Sequence, residues 1–165
     1  MSVVNYKSTV FLWCLIACSA PATNIPEQFP DIGNDFTTEE VKILTLTNQE
    51  RAHYGLPPLK INWPLTRVAR KHSIRMACYH RLSHIIKGKN FLHRLQKVGY
   101  PFVKAGENIA RSKQSLPHII RMWMKSPGHR KNILNPHFKE IGIGISRTSS
   151  GDQYVTQVFA AQKQD

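Results

Sequence analysis

Cysteine is scarce in this chain: three in 165 residues, at positions 14, 18 and 78. Beyond residue 18 only Cys78 remains, so that part of the chain holds no internal disulfide and the disulfide-built secreted scaffolds are excluded. No apolar run reaches the roughly 20 residues that a membrane-spanning helix needs; the longest, Thr9 to Ala20, falls short. Acidic residues are also few, 10 against 23 Lys and Arg, for a net charge of +13. That imbalance attracts polyanions such as nucleic acid, anionic lipid or acidic envelope polymers, without choosing among them. Nucleic-acid binding has nothing beyond charge in its favour, because neither a motif nor an aromatic-basic interleaving is present. No Cys-x-x-Cys pair occurs, and zinc gains no support from a local motif.

What is present begins with a leader. Lys7 precedes the apolar run, as in a signal peptide. Leu15-Ile16-Ala17-Cys18 resembles the lipobox of bacterial lipoproteins, which makes residues 1–17 the signal and Cys18 the lipidated first residue of the mature protein; cleavage after Ala22 is the alternative. Either route exports the chain to the periplasm or the exterior, and the first leaves it anchored to a membrane. Pro21, Pro26 and Pro30 break any helical or strand period, so residues 18–36 are expected to form a flexible tether of roughly 25 Å end to end.

A single domain is expected over 37–161. Thr37 and Glu40 are spaced as a capping box for a helix running to about Tyr54, with Val41, Leu44 and Leu46 as its apolar face and Gly55 and Pro57-Pro58 as its end. Asn48 and Arg51 share a face and fit buried, structural hydrogen-bonding roles. Pro64 opens a second helix that turns Leu65, Val68, Ala69, His72 and Met76 inward, with His72 as a core histidine, and Arg67, Arg70, Lys71 and Arg75 to solvent. A loop with His80, His84 and His93 nearby leads to a short amphipathic helix containing Phe91, Leu92, Leu95 and Val98. Val103 to Ala110 reads as a strand made irregular by Gly106. Ser115-Leu116-Pro117 and Ser126-Pro127 open two more helices, with Ser126 as a side-chain cap, and Ile141–Ser146 with Tyr154–Ala160 form a hairpin. Helices around an antiparallel sheet make an α+β fold.

Glu107, in Gly106-Glu107-Asn108-Ile109-Ala110, is a carboxylate in an apolar setting, and it needs partners or a wet pocket. With Asn48-x-x-Arg51, Ser83-His84, Trp123, Ser126-x-x-His129-Arg130-x-Asn132-Ile133-Leu134 and Ile141-Gly142-Ile143-Gly144, it forms an ordered set. This set resembles the bacterial branch of the CAP superfamily, named for cysteine-rich secretory proteins, antigen 5 and pathogenesis-related proteins.

The resemblance implies a three-layer α-β-α sandwich with a central, mainly antiparallel sheet. It also implies a cleft lined by two histidines and two glutamates, which here are His84, His129 and Glu107; the second glutamate is replaced by Ser126, three residues after Trp123. Asn108 joins these as a ligand-binding candidate, and His84 with His129 as candidate ligands of a divalent metal such as zinc. Two functions stay open. One is capture of an envelope lipid, sterol-like or polymeric ligand, after the sterol and lipid binding of some eukaryotic members. The other is a peptidase-like hydrolase with His84, Glu107 and His129 as catalytic residues, metal-assisted or by general base. A serine or cysteine nucleophile is not supported, since Ser83, Ser126 and Cys78 have no sequence sign of activation.

Overall fold

The computed structural model describes residues 35–162. The expected signal, both cleavage points, Cys18 and the tether up to residue 34 lie outside the described residues.

Helix α1 (Thr38–His53) opens on the capping box: the Thr37 Oγ1 accepts from the Glu40 N–H at 3.2 Å, and the Thr37 N–H donates to Glu40 Oε2 at 2.8 Å. Its buried face is not the expected one. Glu40, Ile43, Thr47 and Arg51 point inward, while Val41 is exposed and Leu44 and Leu46 are only partly covered. The polar members are buried because each is satisfied. Thr47 donates to Ile43 O at 2.7 Å and accepts from Gln157 Nε2 at 2.8 Å. Arg51, with no exposed surface, donates to the carbonyls of Pro57, Ile133 and Asn135 at 2.8–3.0 Å, which ties the far end of the chain to α1. The Asn48 side chain exchanges two hydrogen bonds with the Leu59 backbone. Both residues are the structural bonders their pattern suggests.

Strand β1 (Lys60–Ile61) leads into α2 (Trp63–Cys78), capped by Asn62, whose Oδ1 accepts from Leu65 N–H. Leu65, Val68, Ala69, His72 and Met76 are buried, as the helical period requires. Arg70 departs from the expected solvent-facing stripe. It is buried, donates twice to the Glu40 carboxylate at 2.6 Å and once to Asp35 O at 2.8 Å, and lies 5.1 Å from the Trp63 ring centre. A guanidinium keeps its place inside only because a carboxylate from α1 arrives to meet it. Neighbouring Arg67 is exposed.

Helix α3 (Phe91–Lys97), strand β2 (Lys104–Ser112), helices α4 (Leu116–Lys125) and α5 (Pro127–Ile133), and strands β3 (Glu140–Arg147) and β4 (Gln153–Ala161) complete the described elements. The sheet order is β1-β3-β4-β2, with β1 parallel to β3 and the other pairs antiparallel. Every residue of β4 is buried because both sheet faces are covered. Val155 and Phe159 pack with Ile43, Ile119, Trp123 and Ile133 on one side; Val158 and Ala160 pack with Leu65, Val68 and Ala69 on the other. The result is the α-β-α sandwich.

Two glycines let α2 lie directly on the sheet. A Cβ at Gly142 would stand 2.0 Å from the Leu65 carbonyl carbon, and one at Gly144 would stand 2.3 Å from that of Ala69. Gly106, by contrast, causes no irregularity. It pairs in regular register with Phe159, and its missing side chain leaves room for Asn132, whose Oδ1 would be 2.8 Å from a Cβ there.

Candidate functional site

Consecutive residues of a strand face opposite ways. On β2 this sends Glu107 and Asn108 to different sides of the sheet and splits the sequence motif into two jobs.

Glu107 turns toward α2 and α3 and is buried. His84 Nδ1 lies 2.8 Å from its Oε1, and Arg94 Nη2 donates to Oε2 in a buried ion pair. Arg94 also holds the loop that carries the histidine, donating to His84 O at 3.1 Å and Lys89 O at 3.0 Å. An ion-paired carboxylate only accepts, so the imidazole proton between His84 and Glu107 belongs to Nδ1, and Nε2 is left available on a side chain that is 50% exposed. Beneath lies His72, fully buried, with Nε2 4.0 Å from Glu107 Oε1 and its ring beside the Ser83 main chain. Burial pushes the His72 pKa down to about 4, opposed by the Glu107 charge and the Ser83 main chain and reinforced by Arg94 and His84. It is therefore neutral at pH 7.

Asn108 turns the other way and is fully buried. Its Nδ2 donates to His129 O at 3.1 Å and to Gln157 Oε1 at 3.3 Å, and its Oδ1 accepts from Asn132 Nδ2 at 2.9 Å. Those bonds fasten the start of α5 to the sheet, and Asn108 positions His129. The His129 ring is partly exposed and packs at 6.3 Å from that of Trp123. Burial, and then the charge of nearby His84, lowers its pKa below the ordinary histidine value. The two imidazoles thus sense each other across the edge of β2, although His129 makes no hydrogen bond to Glu107.

Ser126 occupies the N-cap position of α5 but makes no side-chain capping bond, contrary to expectation. Ser83 Oγ is engaged with the Ile85 backbone, and Cys78 is a buried free thiol. His80 and His84 have His-x-x-x-His spacing, which corrects the expectation that no local histidine motif is present; α2 ends at Cys78, so the pair lies on a turn, with His80 at φ 48°, and not on one helix face.

A divalent metal does not fit these residues. Among the described residues no group of three or more His, Cys, Asp or Glu side chains is placed to hold one. His84 and His129 alone are half of a tetrahedral set, and the carboxylate that could extend it is occupied by Arg94.

The strand-borne Glu107, the loop-borne His84 and the helix-borne His129 sit in a segment that matches a known family as a whole: residues 44–159 fit the model of the cysteine-rich secretory protein family, CAP. The chain belongs to that family. It is 36% identical over 149 residues to YkwD of Bacillus subtilis, covering 81% of this chain and 53% of that protein, and 38% identical over 124 residues to the membrane protein YlbC of the same organism, covering 74% and 34%. It therefore spans about half or less of the length of these relatives. An extracellular SCP-domain protein of Bacillus anthracis, 31% identical, superposes with a TM-score of 0.70 over 83% of this chain and 45% of that one.

In this CAP domain the residue missed from sequence is Arg94. The signal was slight: at 100° per residue Arg94 falls about 40° beyond the edge of the apolar arc of Phe91, Leu95 and Val98, a boundary position that a charged side chain often occupies while facing solvent. His72 was legible as a core residue but not as the floor of the site.

Proposed function

We propose that this CAP-domain protein is exported, is held at a membrane by lipid on Cys18, and captures an amphipathic envelope ligand, lipid, sterol-like or polymeric, beside His84 and His129. Its relatives include proteins named as extracellular and as membrane proteins. Among the described residues no helix is long and apolar enough to cross a membrane.

The observation that carries it is the double occupation of Glu107 by Arg94 and His84. A carboxylate with both oxygens so engaged is an orienting group. It fixes the tautomer of His84 and aims Nε2 outward as a hydrogen-bond acceptor, suited to a ligand hydroxyl or amide. The same arrangement favours a second reading, in which His84 Nε2 takes a proton from water attacking a bound ester or amide while Glu107 keeps the ring oriented.

One experiment separates the two. Full-length protein is incubated with a total envelope lipid extract, re-isolated, and its bound and released species are read by mass spectrometry beside a His84→Ala, His129→Ala variant. Capture gives intact species enriched on wild type and lost on the variant; hydrolysis gives products one water heavier in total. Equal recovery of intact species by both proteins, with no products, removes both readings.

A further inference from the structure

The loop carrying His84 has a second character that the cleft does not use. Ile86 is buried as its anchor, Ser83 Oγ bonds the Ile85 backbone twice, Ile86 and Lys89 form a bridge, and Arg94 holds the carbonyls of His84 and Lys89. A loop fixed so firmly still presents Leu82 and Ile85 to solvent, at 46% and 52% exposure, on either side of His84. Arg81 and Lys87 are exposed beside them. The charge of the chain segment that carries this rim is of one sign. Between Glu50 and Glu140 the chain holds 19 of its 23 Lys and Arg and a single acidic residue, Glu107, which is buried against Arg94.

We infer that this rim is a docking surface for an anionic lipid bilayer, with Leu82 and Ile85 entering the acyl boundary and Arg81 and Lys87 meeting headgroup phosphates. Exposed aliphatic side chains on a rigid turn gain by leaving water, and flanking cations gain from an anionic surface; a soluble polyanion would reward only the second. Docking brings His84 to headgroup level, which goes beyond ligand capture in the cleft and rests on different side chains. It is also separate from the proposed lipid on Cys18, which would hold the chain near a membrane without setting which face meets it.

The test reports position as well as binding, because the leader or its lipid can bind vesicles unaided. In full-length protein carrying Trp13→Phe, an Ile85→Trp probe is compared with a Thr45→Trp probe on the exposed side of α1, on vesicles with brominated acyl chains, and each probe is read as the difference from the Trp13→Phe parent, which subtracts Trp63 and Trp123. On phosphatidylglycerol vesicles the Ile85→Trp emission shifts to the blue and is quenched, the Thr45→Trp emission is not, and both effects fade on phosphatidylcholine or in high salt. Leu82→Asp with Ile85→Asp weakens partitioning to phosphatidylglycerol by about tenfold or more. His84→Gln leaves the Ile85→Trp signal intact, so loss of cleft capture and loss of docking are read separately. Protein that sediments with vesicles while the Ile85→Trp probe stays in water overturns the inference, as does a probe that responds equally to phosphatidylcholine or only to soluble polyphosphate.

Discussion

Arg94 donates to the Glu107 carboxylate in a pair that is buried on both sides, joining α3 to the edge strand of the sheet. The pair explains how an acidic residue can stand in an apolar segment, and it makes the motif glutamate a structural charge as well as a site residue. Its loss should be felt first as lost stability.

Glu107→Gln leaves the Arg94 guanidinium buried and unpaired, with an expected cost of about 3–5 kcal/mol. Adding Arg94→Met removes the orphaned charge, so the double variant should be more stable than Glu107→Gln alone. Urea denaturation of wild type, Glu107→Gln, Arg94→Met and the double variant measures this, and strict additivity would show that the two groups do not act as a pair.

His72 links stability to pH. The unfolded chain protonates this histidine near 6.5, whereas the folded chain resists until about 4. In that window the unfolded state binds more protons, so stability falls as pH falls, by roughly 3 kcal/mol between pH 7 and pH 4. His72→Gln should flatten this part of the profile. Unfolding curves at pH 7, 5.5 and 4.5 that run parallel for the two proteins would count against a buried neutral histidine.

Gly142 tests the contact of α2 with the sheet. A methyl there meets the Leu65 main chain at 2.0 Å, which no side-chain rotation relieves, so Gly142→Ala should lower stability by about 3 kcal/mol or prevent folding. Gly128, with nothing within 4 Å of a built Cβ, is the control, and Gly128→Ala should stay within about 1 kcal/mol of wild type. Thermal denaturation of both suffices.

Cys18→Ser tests the anchor. Expressed in a Gram-negative host, wild type should partition into detergent and the variant should not. Soluble wild-type protein whose chain begins at Thr23 would show cleavage after Ala22 in place of lipidation.

Local chemistry wrote much of this protein directly into its sequence. The capping box at Thr37, the proline that opens α2, and the hairpin about residues 148–152 depend on neighbours a few positions away, so they could be read in order. The triad of motif residues was likewise visible, because Glu107 is conspicuous by its charge. What the sequence could not supply were the partners of buried polar groups. Arg51 was legible as a buried hydrogen-bonder without its partners, Glu40 and Thr47 gave no sign of burial, and Arg70 read as part of a solvated stripe; folding brings the Glu40 carboxylate to Arg70, Gln157 of β4 to Thr47 and the Asn135 carbonyl to Arg51. The same holds at the site. Strand periodicity alone places Glu107 and Asn108 on opposite faces, but only the folded chain decides that Arg94 from α3 closes one carboxylate oxygen, that His84 takes the other, and that Asn108 serves His129. Burying a charge is permitted or forbidden by what lies across the gap, and residues far apart in sequence become neighbours only when the layers pack.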